Sequence, residues 1–145
     1  MLKNKKWVLA MFVMCAFCLS GCKYLAESHY DKGIQYEKEK QWEDALKEYK
    51  KAVKYKGDFF VAYSRMGYMY EKLGQYHYAV GVYKKAVEIQ PDYPFAHLGL
   101  GTSYIKLNDL ESADKEREIL ENINKEMAGL LGEMIEIQKV LNESE

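Results

Sequence analysis

The chain has 145 residues, of which 30% are charged and 48% are apolar, and its formal net charge is −1. This length suits one ordinary domain, and the apolar fraction excludes an intrinsically disordered chain. A net charge near zero gives no basic surface for nucleic acid, so we predict no nucleic-acid partner.

The first segment combines a basic start, a short apolar run and a cysteine. Lys3, Lys5 and Lys6 precede residues 7–19, which carry no charge. This run has the length of a signal-peptide core, whereas a transmembrane helix needs about 20 apolar residues. The run leads into the tetrapeptide Leu-Ser-Gly-Cys, which ends at Cys22. This tetrapeptide resembles the lipobox at which bacterial lipoprotein precursors are processed.

The lipobox resemblance implies that a diacylglyceryl group is added to the Cys22 sulfur, that cleavage precedes this residue, and that the new amine is acylated. Residues 1–21 are therefore predicted to be a lipoprotein signal peptide and residues 22–25 a lipidated tether. An uncleaved signal anchor and an ordinary secreted protein are the alternatives. Lys23 stands where enteric-type lipoproteins of the inner membrane carry Asp. The resemblance thus implies an outer-membrane anchor on the periplasmic face, with the outer face of the cytoplasmic membrane as the alternative.

The middle of the chain is an internal repeat with a constant period. Residues 83–87 match residues 49–53 letter for letter, and at the same interval Gly67 has counterparts in Gly33 and Gly101. Within each repeat the apolar and aromatic residues recur at spacings of three and four, which is the period of a helix and not of a strand.

Each repeat is predicted to contain two helices separated by a turn. In residues 60–93, Gly74 suits a left-handed helix end and Pro91 stops the second helix. Asp92 stands where the N-cap of the next helix is expected, and Pro94 suits the first turn of that helix.

Gly67 and Ala79 are predicted to let the paired helices approach closely, with Tyr70 and Tyr83 filling the space on either side. This pattern resembles the tetratricopeptide repeat (TPR), in which an aromatic, Leu-Gly, Tyr, Ala, an aromatic and Pro recur with a period of about 34 residues. The resemblance implies an all-α fold, a short α-solenoid of three TPR helix-turn-helix units and a capping helix. The predicted units are TPR 1 at residues 26–59, TPR 2 at 60–93, a degenerate TPR 3 at 94–124, and the capping helix and tail at 125–145.

The last segment is predicted to be a helix with one apolar face. A helix that covers the last repeat is the preferred interpretation, because a terminal repeat otherwise leaves its apolar face open. Self-association through residues 125–145 is the alternative. The apolar face carries Met127, Leu130, Leu131, Met134, Ile135 and Leu141.

The sequence contains no recognisable motif for catalysis. It has no Ser-His-Asp arrangement, no His-x-x-x-His spacing and no glycine-rich phosphate loop. His29 and His97 share one repeat position, so we interpret them as packing residues and not as ligands. Cys15 and Cys18 lie in the apolar run and would be removed with the signal peptide, which leaves only Cys22. We therefore predict no enzyme activity, no cofactor and no metal site.

The TPR resemblance also implies that the first helix of each repeat lines a concave groove for a peptide or a partner helix. Tyr and Arg are frequent binding hot spots, whereas Val61, Phe95 and Leu98 alternatively pack between repeats. The Lys and Asn clamp with which chaperone-binding TPR domains hold a C-terminal carboxylate is missing. The groove residues implied are Tyr30, Ile34, Val61, Arg65, Tyr68, Phe95, Leu98 and Thr102.

These features predict a lipid-anchored TPR adaptor that binds a protein partner while a cell-envelope complex is assembled or stabilised. Such a protein resembles the pilotins that escort secretins and the assembly factors of outer-membrane machines. The alternatives are a structural lipoprotein that self-associates and a non-catalytic accessory subunit of an envelope enzyme.

Overall fold

The computed structural model describes residues 3–144, and it describes side chains from residue 21 to residue 144. Across residues 3–144 the chain forms seven helices and no strand, so the predicted all-α class is confirmed there. The helices are α1 (Lys3–Lys38), α2 (Trp42–Tyr55), α3 (Phe60–Lys72), α4 (Tyr76–Ile89), α5 (Pro94–Lys106), α6 (Leu110–Ile123) and α7 (Lys125–Glu143).

The helices pack as successive helix-turn-helix pairs. Helix α1 packs on α2, α3 on α4 and α5 on α6, and each pair packs on the next one. Helix α7 packs on both α5 and α6 at the end of the stack. This order places the first helices of the pairs, α1, α3 and α5, beside one another.

Helix α1 is longer than the repeat alone requires. It runs for 36 residues and includes residues 22–25, the predicted tether, which are helical. No proline or turn sequence interrupts the chain there, so the helix can continue. The predicted signal peptide lies almost wholly outside the residues with described side chains and stays a prediction. Where side chains are described, no helix is long and apolar enough to cross a bilayer.

The close contacts between helices are made by tyrosine rings on glycines. A Cβ added to Gly67 would lie 2.6 Å from Cε1 of Tyr83, whose side chain is only 3% exposed. Gly33 lies against the Tyr49 ring in the same way. Gly67 therefore makes room for the Tyr83 ring. The prediction was that Gly67, together with Ala79, lets the paired helices approach closely.

The turns between paired helices use left-handed backbone at one repeat position. Gly74 has φ 71°, as predicted, and Lys40 and Asn108 adopt φ 58° and φ 59° at the equivalent places. The side chain of Asp109 then caps α6 by accepting a hydrogen bond of 3.1 Å from the Ser112 amide.

Asp92 does not cap α5, so that prediction is wrong. The N-cap residue is Tyr93, in an extended conformation and without a side-chain cap bond. A residue before proline avoids the helical region, and Pro94 lies in the first turn of α5. The proline therefore fixes the helix boundary one residue later than the predicted cap.

Helix α7 covers the last pair with a narrower face than predicted. Ala128, Leu131 and Ile135 are buried against a cluster that includes Ile105 and Leu120. Leu130 and Leu141, which we assigned to the same face, are each 51% exposed. At about 3.6 residues per turn, positions 128, 131 and 135 share one stripe and position 130 points away from it.

Two histidine–glutamate pairs join the helices of the first and third pairs. His97 is buried, and its Nδ1 lies 2.7 Å from Oε2 of Glu116 while its Nε2 lies 2.7 Å from the Pro91 carbonyl oxygen. His29 Nδ1 lies 2.6 Å from Oε2 of Glu48. The two histidines, which occupy the same repeat position, thus make the same kind of contact, each with a glutamate of the following helix.

The His97 pair is expected to make stability depend on pH. The hydrogen bond to Glu116 raises the pKa of His97, against burial, which lowers it. The stabilisation is therefore complete below the unfolded pKa of about 6.5 and is lost as the pH rises through the folded pKa. We expect the free energy of unfolding, measured with urea, to fall over this window in the wild type. The fall should be smaller in Glu116→Gln, and in the control Glu126→Gln it should be as large as in the wild type. Equal falls in all three proteins would contradict a role of the His97–Glu116 pair in this pH dependence.

Candidate partner-binding groove

A cavity of about 440 Å³ lies between α1, α3 and α5, which are the first helices of the three pairs. This size is in the range of pockets that bind small molecules or side chains. Its lining residues are Glu37, Ser64, Arg65, Tyr68, Glu71, Tyr83, Tyr93, Phe95, Leu98, Gly99 and Thr102.

Five of the eight predicted groove residues line this cavity, namely Arg65, Tyr68, Phe95, Leu98 and Thr102. They come from α3 and α5, and the five side chains line the same side of the stack. Three of them are open to solvent: the Arg65 side chain is 45% exposed, Tyr68 is 36% exposed and Phe95 is 56% exposed.

The other three predicted groove residues do not line the cavity. The Tyr30 ring packs at 5.5 Å from the Tyr49 ring and at 5.0 Å from the Phe59 ring, measured between centroids. Ile34 packs against the main core, and Val61 is partly buried. These residues lie on the first helices, but the Tyr30 ring packs on α2 and on the loop before α3.

The cavity also contains a carboxylate that sequence analysis missed, at Glu37 near the end of α1. One oxygen accepts a hydrogen bond of 2.7 Å from the Tyr49 hydroxyl, and the other accepts one of 2.8 Å from Nη1 of Arg65. Burial lowers the pKa of Arg65, but Glu37 and Tyr30 raise it by more, so the pKa lies above its usual value. Arg65 is therefore held in an ion pair at the wall of the groove.

A second carboxylate, Glu71, lies at the end of α3. Its Oε2 accepts a hydrogen bond of 3.0 Å from the Tyr83 hydroxyl. Its Oε1 accepts bonds of 2.6 Å from Thr102 Oγ1 and 2.9 Å from Ser103 Oγ. Burial, together with the neighbouring Glu71 charge, raises the pKa of Tyr83, so this tyrosine stays a neutral donor.

The signal for these carboxylates was present in the sequence. Glu37 and Glu71 are one repeat period apart, and each precedes a core tyrosine by 12 residues. The predicted repeat rested on apolar and aromatic positions and did not include this polar one.

The walls of the groove are aromatic. Tyr93 lies near Phe95 at 5.6 Å between centroids, and Phe60 meets Tyr93 edge-on at 5.0 Å. Lys72 Nζ lies 4.8 Å from the centroid of Tyr68 at the rim. The site thus combines accessible rings with partly buried carboxylates, which suits recognition of a side chain better than catalysis. Within residues 21–144, no three His, Cys, Asp or Glu side chains are grouped so that they could hold a metal ion.

Comparison with protein families gives a match to a model described as TPR repeat. It matches residues 33–74 and again residues 67–108, which together span more than half of the chain. A comparison with curated protein sequences found no match.

Comparison with solved structures gives many matches with the same fold. The first TPR of Spaghetti (RPAP3), bound to the HSP90 peptide SRMEEVD, has a TM-score of 0.72 and 24% identity over 79% of this chain and 94% of that one. The Arabidopsis OM64 TPR domain has a TM-score of 0.73 and 25% identity over 79% of this chain and 97% of its own. The TPR2B-domain:pHsp70 complex of yeast Sti1 has a TM-score of 0.74 and 21% identity over 81% and 98%.

Proposed function

Because the chain belongs to the TPR family, we propose that it is a non-catalytic adaptor whose groove holds a segment of a partner protein. The observation that carries this proposal is the cavity between α1, α3 and α5, with Tyr68 and Phe95 open to solvent. Exposed aromatic rings at a concave surface favour a binding site. Two structural neighbours, from Spaghetti and Sti1, are complexes with the HSP90 peptide and with pHsp70.

The segment that this groove binds should differ from the acidic peptide SRMEEVD. The cavity lining contains two carboxylates, Glu37 and Glu71, and one cation, Arg65. That cation is already paired with Glu37. An acidic peptide would therefore meet a cavity lining without a spare positive charge, which agrees with the missing carboxylate clamp.

The proposal includes a lipid anchor at Cys22, with no cofactor and no metal. Its support is the lipobox-like sequence and the exposed, free thiol of Cys22 in α1. Ala26 is fully buried and comes four positions after Cys22, so the packed repeats begin about 6 Å from the cysteine along a helix. This short distance would hold the repeats close to a membrane surface. The proposed location is the periplasmic face of the bacterial outer membrane, with the outer face of the cytoplasmic membrane as the alternative.

Replacing Cys22 is expected to abolish the anchor. In cells grown with labelled palmitate, Cys22→Ala should lose all label and remain an uncleaved precursor, because the acceptor thiol is gone. Cys18→Ala should be labelled and cleaved like the wild type, since its thiol lies within the predicted signal peptide. Normal labelling of Cys22→Ala would refute the lipoprotein assignment and leave the groove unaffected.

The groove itself is tested by crosslinking the full chain in cells and identifying captured proteins by mass spectrometry. Tyr68→Ala and Phe95→Ala should each lose the partner, because removing a hot-spot aromatic costs about 2 kcal/mol or more. Tyr78→Ala is the matched control, since Tyr78 is 65% exposed on α4 and lies outside the cavity. A partner that all three variants retain would end the groove proposal.

The same experiment separates the two rival functions. Ile137, Val140 and Leu141 form an exposed apolar strip on α7, which favours self-association as the second candidate. Crosslinks only between copies of this chain, retained in Tyr68→Ala, would support that structural role. Capture of an envelope enzyme in a groove-dependent manner would support the accessory-subunit role.

A further inference from the structure

The two groove carboxylates occupy equivalent positions but have unequal partners. Glu37 and Glu71 are one repeat period apart, and each accepts a tyrosine hydroxyl, from Tyr49 at 2.7 Å and from Tyr83 at 3.0 Å. Glu37 also receives the guanidinium of Arg65, 28 residues later. The residue at the same spacing after Glu71 is Gly99, which has no side chain to offer.

The missing cation at Gly99 is a consequence of packing. A Cβ on Gly99 would lie 2.5 Å from Cε1 of Tyr83, closer than side-chain atoms approach one another. The Tyr83 ring therefore occupies the space that a side chain at this position would need. Across residues 21–144, no Lys, Arg or His side chain forms an ion pair with Glu71.

Glu71 keeps capacity for one more donor. A carboxylate offers about four acceptor positions, and Tyr83, Thr102 and Ser103 occupy three of them. Hydroxyl donors are neutral, so they satisfy hydrogen bonds and leave the negative charge without a counter-ion. A partly buried charge of this kind gains more from an opposite charge than an exposed one does.

The surrounding rings suit a cation as well. Tyr68 and Phe95 are the exposed rings of the same cavity, and the face of an aromatic ring attracts positive charge. Lys72 Nζ already lies 4.8 Å from the Tyr68 centroid at the rim, so one face of this ring is used in that way. Apart from Glu71, the lining is neutral overall, because Arg65 and Glu37 neutralise each other.

We propose that the partner's segment inserts an arginine or lysine side chain beside Tyr68 and Phe95 and donates to Glu71, as Arg65 donates to Glu37. This inference rests on the proposed function, since it requires that the groove bind a protein segment. It names a basic residue with apolar neighbours as the feature that the groove selects.

The first step of the test is a selection of displayed random dodecapeptides on the full chain in detergent. The wild type should enrich peptides with an arginine or lysine between apolar residues. Tyr68→Ala should enrich none of them. Failure to enrich any peptide that depends on Tyr68 would overturn the proposed function. Enrichment of groove-dependent peptides that lack basic residues would overturn only the inference about Glu71.

The second step pairs a substitution in the peptide with one in the protein. The most enriched peptide is synthesised with its basic residue and with citrulline, a neutral isostere of arginine, in its place. Loss of one charged hydrogen bond should weaken binding to the wild type by about tenfold. Glu71→Gln should bind both peptides with the same, weaker affinity, whereas the control Glu118→Gln, an exposed α6 residue, should behave as the wild type. An equal loss in wild type and Glu71→Gln would refute the contact, and unfolding curves of both variants check that each remains folded.

Discussion

Replacing Gly67 with alanine is expected to lower the free energy of unfolding by about 1–3 kcal/mol. The added Cβ would lie 2.6 Å from the Tyr83 ring. That ring cannot move aside easily, because its hydroxyl is bonded to Glu71 and the ring also lies against Gly99. The ring would have to shift together with α3 or α5, which would disturb the stack between neighbouring pairs.

Gly81→Ala provides the matched control for this substitution. Gly81 lies inside α4, and a Cβ there would meet nothing within 4 Å. Alanine should therefore stabilise the protein by about 0.5–1 kcal/mol through helix propensity alone. Urea unfolding followed by circular dichroism measures both changes. If Gly67→Ala also stabilised the protein, helix propensity and not the contact with the Tyr83 ring would determine the effect of this substitution.

The periodic part of the fold could be predicted because its core is periodic. Tyr49 and Tyr83 are both buried, and each lies on a glycine at the same distance before it in the chain, Gly33 or Gly67. A spacing that repeats in sequence repeats in space when each pair packs only on its neighbours. The prediction failed in detail at Asp92, where the conformational constraint from Pro94 outweighed a favourable capping residue.

The groove was predictable only in part, for a physical reason. Arg65, Tyr68 and Phe95 could be placed because they occupy outward positions of the first helices. Tyr30 could not, because its ring packs on Tyr49 and on Phe59, in the loop before α3. The repeat position of Tyr30 does not by itself show which neighbouring rings its own ring will contact.

The functional asymmetry of the groove arises where the period is broken. Position 65 carries Arg and position 99 carries Gly, so two equivalent carboxylates have different partners. Neither residue is unusual by itself, and only their equivalence under the repeat period exposes the difference. In a repeat protein, an interruption of the polar pattern is therefore as informative as the apolar pattern that defines the fold.

Leu131→Ala is expected to lower the free energy of unfolding by about 2–5 kcal/mol. Leu131 is fully buried, and its side chain fills the space over Gly101, where an added Cβ would lie 2.7 Å from Cδ1. Its neighbours in the cluster, Ile105 and Ile135, are also buried. Removing the isobutyl group would leave a cavity between α5 and α7, because the glycine beneath it cannot fill the gap.

Leu130→Ala separates packing from helix propensity in this prediction. Leu130 is 51% exposed and adjoins Leu131 on the same helix, so both substitutions change the propensity of α7 equally. An exposed substitution of this kind should change stability by no more than about 0.5 kcal/mol. Urea unfolding at two protein concentrations measures both variants. Equal losses would mean that α7 does not cover the last pair through Leu131. A loss in Leu130→Ala that shrinks on dilution would mean that α7 is buried against a second copy of the chain, because dimerisation stabilises the wild type only at high concentration.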